Sequence, residues 1–128
     1  MNVLLDTHTF LWFVWNDPKL SEVAKDTIVN PDNRKLISIA TCWEIAIKVS
    51  LKKLELGMPY IDFVPPQMEM NHFEMLAIHH SDMAAVAALP FHHRDPFDRM
   101  LIVQSNVSDI PIVSADSQFD AYDIERVW

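Results

Sequence analysis

Glycine occurs once in these 128 residues, as Gly57. That excludes a Gly-rich phosphate loop and a dinucleotide fingerprint, both of which need several glycines at fixed spacing. Cysteine also occurs once, as Cys42. No internal disulfide can form, which fits a reducing compartment. No basic segment leading into an apolar run opens the chain, so no signal peptide is expected. The apolar run near the N-terminus is short and is preceded by Asp6 and His8, so no bilayer span is expected either. The sequence reads as cytoplasmic. Positive charge is scarce: ten Lys and Arg against 18 Asp and Glu leave a net charge of −8. That deficit argues against a nucleic-acid partner only if the acids are spread over the surface. If several of them converge on metal ions, net charge stops being a guide.

Apolar residues are plentiful, at 50% of the chain. That is enough for one sizeable core, and residues 1–128 read as a single domain. "NVLL" (2–5) has the look of a short buried strand, and "THTFLWFVWND" of a helix closed by Asp17-Pro18. "SEVAKDTIVN" is a second helix, capped by Ser21. "KLISIA" reads as a second strand, running into the helical "TCWEIAIKVSLKKL". The middle, "ELGMPYIDFVPPQMEMN", is the least regular part, and Pro65-Pro66 is expected to end one short helix there. Beyond it come a strand "FEMLAI", a helix "SDMAAVAALP", a helix "DPFDRMLIVQSNV", a strand "IPIVSA" and a fifth candidate strand, "DIERVW". Strands alternating with helices over short connections predict an α/β layer fold with a mostly parallel sheet.

Four acids fall at related places in that scheme. Asp6 follows strand one, and Asp116 follows strand four. Glu44 is placed in the first turn of the helix after strand two, and Asp98 in the first turn of the helix leading to strand four. In an open parallel sheet these positions share one edge, where the binding crevice lies. Two carboxylates about 4 Å apart repel by roughly 4 kcal/mol at an effective dielectric of 20. Such a group therefore takes up protons or is held together by cations. Oxygen ligands without a cysteine or histidine set favour Mg²⁺ or Mn²⁺. That chemistry suits hydrolysis of phosphodiesters by metal-activated water.

Structural roles compete for each acid. Asp95 can cap the helix that begins at Pro96, with Asp98 over its positive end. Thr41 and Glu44 spell a T-x-x-E capping box, and Glu44 can pair with Lys48 one turn on. Taken that way, the chain is a non-catalytic α/β binding module. A phosphatase of the haloacid dehalogenase type also opens with an aspartate after its first strand. It requires a second aspartate two positions later, where this chain has His8.

The stretches "LLDTHTFLW", "WEIAIKVSLKKLEL", "LPFHHRDPFDRMLIVQS" and "IVSADSQFDAY" resemble the PIN-domain family, and more narrowly its VapC-like ribonuclease toxins. The match covers nearly the whole chain in order, and "HRDPFDRMLI" is its most specific part. The resemblance implies a three-layer α/β/α fold and a Mg²⁺- or Mn²⁺-dependent endoribonuclease, the toxin of a toxin–antitoxin pair. It further implies an inhibitory antitoxin partner and a homodimer. The family's metal-binding acids fall on Asp6, Glu44, Asp98 and Asp116, with Thr7 and Asp95 in support. One departure is Lys52, where members of the family often carry glycine.

Lys48, Lys52 and Lys53, with Arg94 and Arg99, put five of the ten basic residues in segments around the predicted crevice. Of these, Lys48, Lys52, Arg94 and Arg99 are the candidate RNA contacts; a solvated helix face is the competing reading. The pairs His79-His80 and His92-His93 lack zinc-site spacing, and His92 or His93 is expected to order the loop before Asp95. Trp12, Trp15 and Trp43 are expected in the core. Met58, Met68, Met70 and Met75 suit either the core or a partner groove. Cys42 has no activating neighbour and is not expected to act as a nucleophile.

Overall fold

The computed structural model describes residues 1–128. Five short strands form one parallel sheet: β1 (Asn2–Leu5), β2 (Arg34–Ser38), β3 (Glu74–Leu76), β4 (Ile112–Val113) and β5 (Arg126–Val127). Their spatial order is β3-β2-β1-β4-β5. The six helices are α1 (Thr7–Val14), α2 (Glu22–Val29), α3 (Ile39–Ser50), α4 (Tyr60–Met70), α5 (His80–Ala88) and α6 (Pro96–Ser108). A 3₁₀ turn, Ser117–Ala121, joins β4 to β5. The expected three-layer α/β/α architecture is the observed one.

Alternation along the strands sorts the core into two layers. Val3, Leu5, Ile37 and Val113 meet Phe10, Ile28, Ile45 and Phe63 on one face. Leu4, Leu36 and Ile112 meet Leu101, Ile102 and Phe119 on the other. Strands buried on both sides in this way read as near-continuous apolar runs, as "NVLL" does. The chain builds outward from β1 to β2 and β3, then returns to the other side of β1 for β4 and β5. The order therefore reverses between β1 and β4, which is where a parallel sheet opens a crevice at its C-terminal edge.

With so little glycine, the chain ends four helices on other residues. Asn16, Lys52, His72 and Asp109 all have φ between 52° and 57°. At Lys52 the closing bonds are Lys52 N–H to the Val49 carbonyl at 3.1 Å and Lys53 N–H to the Lys48 carbonyl at 2.9 Å. This is a Schellman termination with a β-carbon where glycine is favoured. Lys52→Gly is expected to stabilise the protein by about 1 kcal/mol, since the left-handed conformation costs a non-glycine residue about that much. Urea denaturation measures it.

One expectation fails here. Pro65 and Pro66 lie inside α4 and do not break it. Each proline removes a hydrogen bond to a carbonyl four residues back, on Ile61 and Asp62, and both of those residues are exposed, so water replaces the lost partner. Phe63, Val64 and Met68, buried along the opposite face, hold the helix to the core.

Candidate metal centre

Asp6 leaves β1 directly into the first turn of α1. Its side chain caps that helix, accepting the Thr9 N–H at 2.9 Å. Its second oxygen accepts from the Ser114 hydroxyl at 2.5 Å, across the gap between β1 and β4. The residue is 6% exposed. Burial, partly offset by these bonds, raises its pKa above the ordinary carboxylate value.

Glu44 is also buried. One oxygen accepts from the Thr7 hydroxyl at 2.6 Å and the other from Lys48 Nζ at 2.6 Å. The expected capping box is not formed. Ser38 is the N-cap of α3, through its bond from the Ala40 N–H. The helix thus begins earlier than "TCWEIAIK" suggests, and Glu44 falls in its second turn with no capping duty. The Thr7 hydroxyl ties α1 to α3 beside Asp6.

Asp95 is the N-cap of α6, accepting from the N–H groups of Phe97 at 2.8 Å and Asp98 at 3.0 Å. The cap fixes where the helix starts and so where Asp98 points. Asp98 has its pKa pushed up to about 8, first by burial and then by the charges of Asp95, Asp6, Glu44 and Asp116. Its carboxylate therefore lies within the field of every other predicted acid. Asp116 caps the 3₁₀ turn through the Gln118 N–H at 2.9 Å. Its own N–H donates to Ser114 Oγ at 3.0 Å, the same hydroxyl that serves Asp6.

A histidine completes the group. His93 Nε2 lies 3.1 Å from Asp98 Oδ2 and 3.3 Å from Asp116 Oδ2. Its Nδ1 accepts the Asp95 N–H at 3.3 Å, which places the imidazole proton on Nε2, facing the two carboxylates. His93 orders the loop before Asp95, as expected of this pair of histidines. Its second role, holding Asp98 and Asp116 together, is not in the sequence reading. The only signal for it is its place two residues before the capping Asp95.

The basic residues divide. Lys48 is committed to Glu44. Arg94 is exposed beside the site. Lys52 stands eight residues beyond Glu44, about 12 Å further along the helix direction, and is not brought to the crevice. Arg99 is a correction: it is 5% exposed, and its guanidinium donates to the carbonyls of Val86, Leu89, Pro90 and His93. It ties down the α5–α6 loop, with four of its five N–H donors committed to those carbonyls. Trp43 and Trp15 are corrections too, at 62% and 41% exposed instead of core. Met58, Met70 and Met75 are exposed and Met68 is buried.

The donor set fits a hard divalent cation. Ligand atoms of Asp98, Asp116 and His93 lie within 4.8 Å of one another, and Asp6 and Glu44 are near enough for their charges to act on Asp98; burial first, and then these charges, keep a proton on Asp98. A cation must displace that proton. Apparent Mn²⁺ affinity, measured by calorimetry, is expected to rise with pH and level off above about pH 8. Without cation the sign is opposite for stability. The folded state binds a proton on Asp98 that the unfolded chain releases near its ordinary 3.8. Stability should therefore fall as pH rises from about 4 to about 8.

The PIN-domain family model matches residues 3–125. The chain belongs to the PIN-domain family. Its fold is shared with chains of several solved structures. VapBC2 from Rickettsia felis, bound to a DNA fragment from its promoter, superposes with a TM-score of 0.71 at 10% identity, covering 98% of this chain and 97% of that one. VapBC-1 from nontypeable Haemophilus influenzae gives 0.67 at 15% identity, covering 98% and 96%. A toxin–antitoxin complex from Klebsiella pneumoniae gives 0.65 at 16%, covering 98% and 96%. No curated protein matches the sequence at a significant level. No helix of this PIN domain is long and apolar enough to cross a membrane.

Proposed function

We propose that this PIN domain is a Mg²⁺- or Mn²⁺-dependent endoribonuclease and the toxin of a toxin–antitoxin pair, acting in the cytoplasm as a single domain. The observation that carries the reading is the cluster of Asp98, Asp116 and His93, whose ligand atoms lie within 4.8 Å of one another, with Asp6 and Glu44 near enough for their charges to act on Asp98. A module whose acids only cap helices has no reason to gather them against their mutual repulsion. Asp6, Glu44, Asp98 and Asp116 would hold the cation. A bound Mg²⁺ or Mn²⁺ supplies polarisation of the phosphoryl oxygens and acidification of water.

The chain's own groups set the geometry. Ser114 and the Thr9 N–H fix both oxygens of Asp6. Thr7 and Lys48 fix both oxygens of Glu44. His93 spans Asp98 and Asp116, and Arg94 stands exposed at the rim to meet a phosphate. No side-chain nucleophile is required. Cys42 is buried, and burial pushes its thiol pKa up, away from reactivity. The antitoxin and a second copy of the chain are the proposed protein partners. The solved complexes of the same fold support the former. Exposed Met58, Ile61 and Met70 offer apolar surface for either.

The reading is tested by offering the purified protein structured and unstructured RNAs with Mn²⁺ or with EDTA, then mapping the ends. Internal cuts that need the cation support it. A cation-dependent release of phosphate from monoesters, with RNA left intact, would point to the phosphatase class instead.

A further inference from the structure

Trp43 and Phe97, each one residue before a site acid, form an aromatic pair that the metal chemistry does not use. Trp43 immediately precedes Glu44 on α3, and Phe97 immediately precedes Asp98 on α6. Their ring centroids are 5.6 Å apart with the planes at 79°. In such an edge-to-face pair only one ring gives up a face, and Trp43 remains 62% exposed. Its neighbours Cys42, Glu44 and Ile45 are all buried. An indole kept in water between two such residues forgoes apolar burial that the core makes available elsewhere.

The charges point to what occupies it. Net charge is −8. Of the basic residues around the crevice, Arg99 is enclosed by carbonyls, Lys48 is held by Glu44, and Lys52 lies at the far end of α3. Arg94 alone of the four RNA-contact candidates is left for phosphate at the rim, and Arg126, held at the Ser114 carbonyl, is paired with Asp120, so few uncommitted cations remain for counterion release. Contacts to the bases are then the stronger source of grip. Aromatic side chains make them by stacking, worth about 1–3 kcal/mol per base, and only an unpaired base exposes the face required.

We propose that the Trp43–Phe97 pair is a nucleobase platform that holds an unpaired base next to the phosphodiester at the metal centre. The inference rests on the ribonuclease reading and adds to it a base-contacting pair, with affinity that depends weakly on salt.

The test is steady-state cleavage of an unpaired RNA in Mn²⁺ by wild type, Trp43→Ala and Trp43→Phe, with oligomeric state followed by size exclusion. Trp43→Ala is expected to raise KM by about 5- to 150-fold, the span of one stacked base, with a smaller change in kcat. Trp43→Phe should keep most of the affinity. An RNA with an abasic residue beside the mapped cleavage site should lose the same factor with wild type, and nothing further with Trp43→Ala. An unchanged KM in Trp43→Ala, with wild type cutting normally, overturns the platform and leaves the ribonuclease reading intact. A Trp43→Ala protein whose weaker cleavage tracks dissociation into monomers also overturns it, making the pair a contact between copies. Wild type that cuts no RNA removes the ribonuclease reading itself, and the platform with it.

Discussion

Replacing Asp98 with asparagine is expected to lower ribonuclease activity at least about 100-fold, the scale of losing a group that stabilises developing charge. The same change should raise the melting temperature of the cation-free protein. The two effects have opposite signs and one cause. Asp98 sits where burial and four other carboxylates penalise its charge, pushing its pKa to about 8. An amide keeps the shape of the side chain and removes the repulsion. The helix start is untouched, because it depends on the Asp95 carboxylate and the backbone N–H of residue 98. The gain should be largest above about pH 8, where wild-type Asp98 is ionised, at roughly 4 °C per kcal/mol for a chain of this size. Thermal melts with and without Mn²⁺ check both signs. Wild type should be stabilised by the cation and the variant should not. If Asp98 were only a charge over a helix end, its loss would lower stability and leave activity alone.

Arg99→Leu is expected to cost on the order of 3 kcal/mol, because the carbonyls of Leu89 and His93 lose their donor, at about 1–3 kcal/mol each, while those of Val86 and Pro90 keep the Leu89 N–H and the Tyr122 hydroxyl. Four carbonyls, from Val86, Leu89, Pro90 and His93, accept from this one guanidinium at 2.9 to 3.3 Å. Phe91 covers it, with the ring centroid 3.9 Å from the guanidinium carbon. Leucine fills part of the volume and serves none of the carbonyls. Arg99→Lys should recover part of the loss, since an ammonium has three donors and lacks the planar fork. Urea denaturation reads the stability. Because one of the four carbonyls is that of His93, the leucine variant should also loosen the imidazole that holds Asp98 to Asp116. An Arg99→Leu protein within about 0.5 kcal/mol of wild type, the range of an ordinary surface change, would contradict this role.

The parts of the site that depend on chain order were legible in the sequence. Asp6 directly after an apolar strand, and Asp95-Pro96 opening a helix with Asp98 in its first turn, each place a carboxylate by local rules alone. The parallel topology then brings those ends to one edge. What was not legible depends on contacts between distant segments. Nothing local separates His92 from His93. The difference is that the His93 ring turns inward to Asp98 and Asp116, while the His92 ring packs on Tyr122. Arg99 read as a phosphate contact because the sequence shows its charge and not the four carbonyls curled around it. Trp43 read as core because tryptophan is apolar on average, yet its place on α3 turns it outward. Pro65 and Pro66 read as a break because the penalty for proline in a helix is set by whether the freed carbonyls are buried, and here they face water.

The most direct measurement is a titration of Mn²⁺ into metal-stripped protein incubated with an unpaired RNA, following internal cleavage in wild type and Asp98→Asn side by side. The expected result is no cleavage without cation, a saturable rise with Mn²⁺ that EDTA reverses, and no cleavage by Asp98→Asn at any concentration. Cleavage that persists in EDTA, or an Asp98→Asn protein that cuts at the wild-type rate, would contradict the assignment of these carboxylates as a catalytic metal centre.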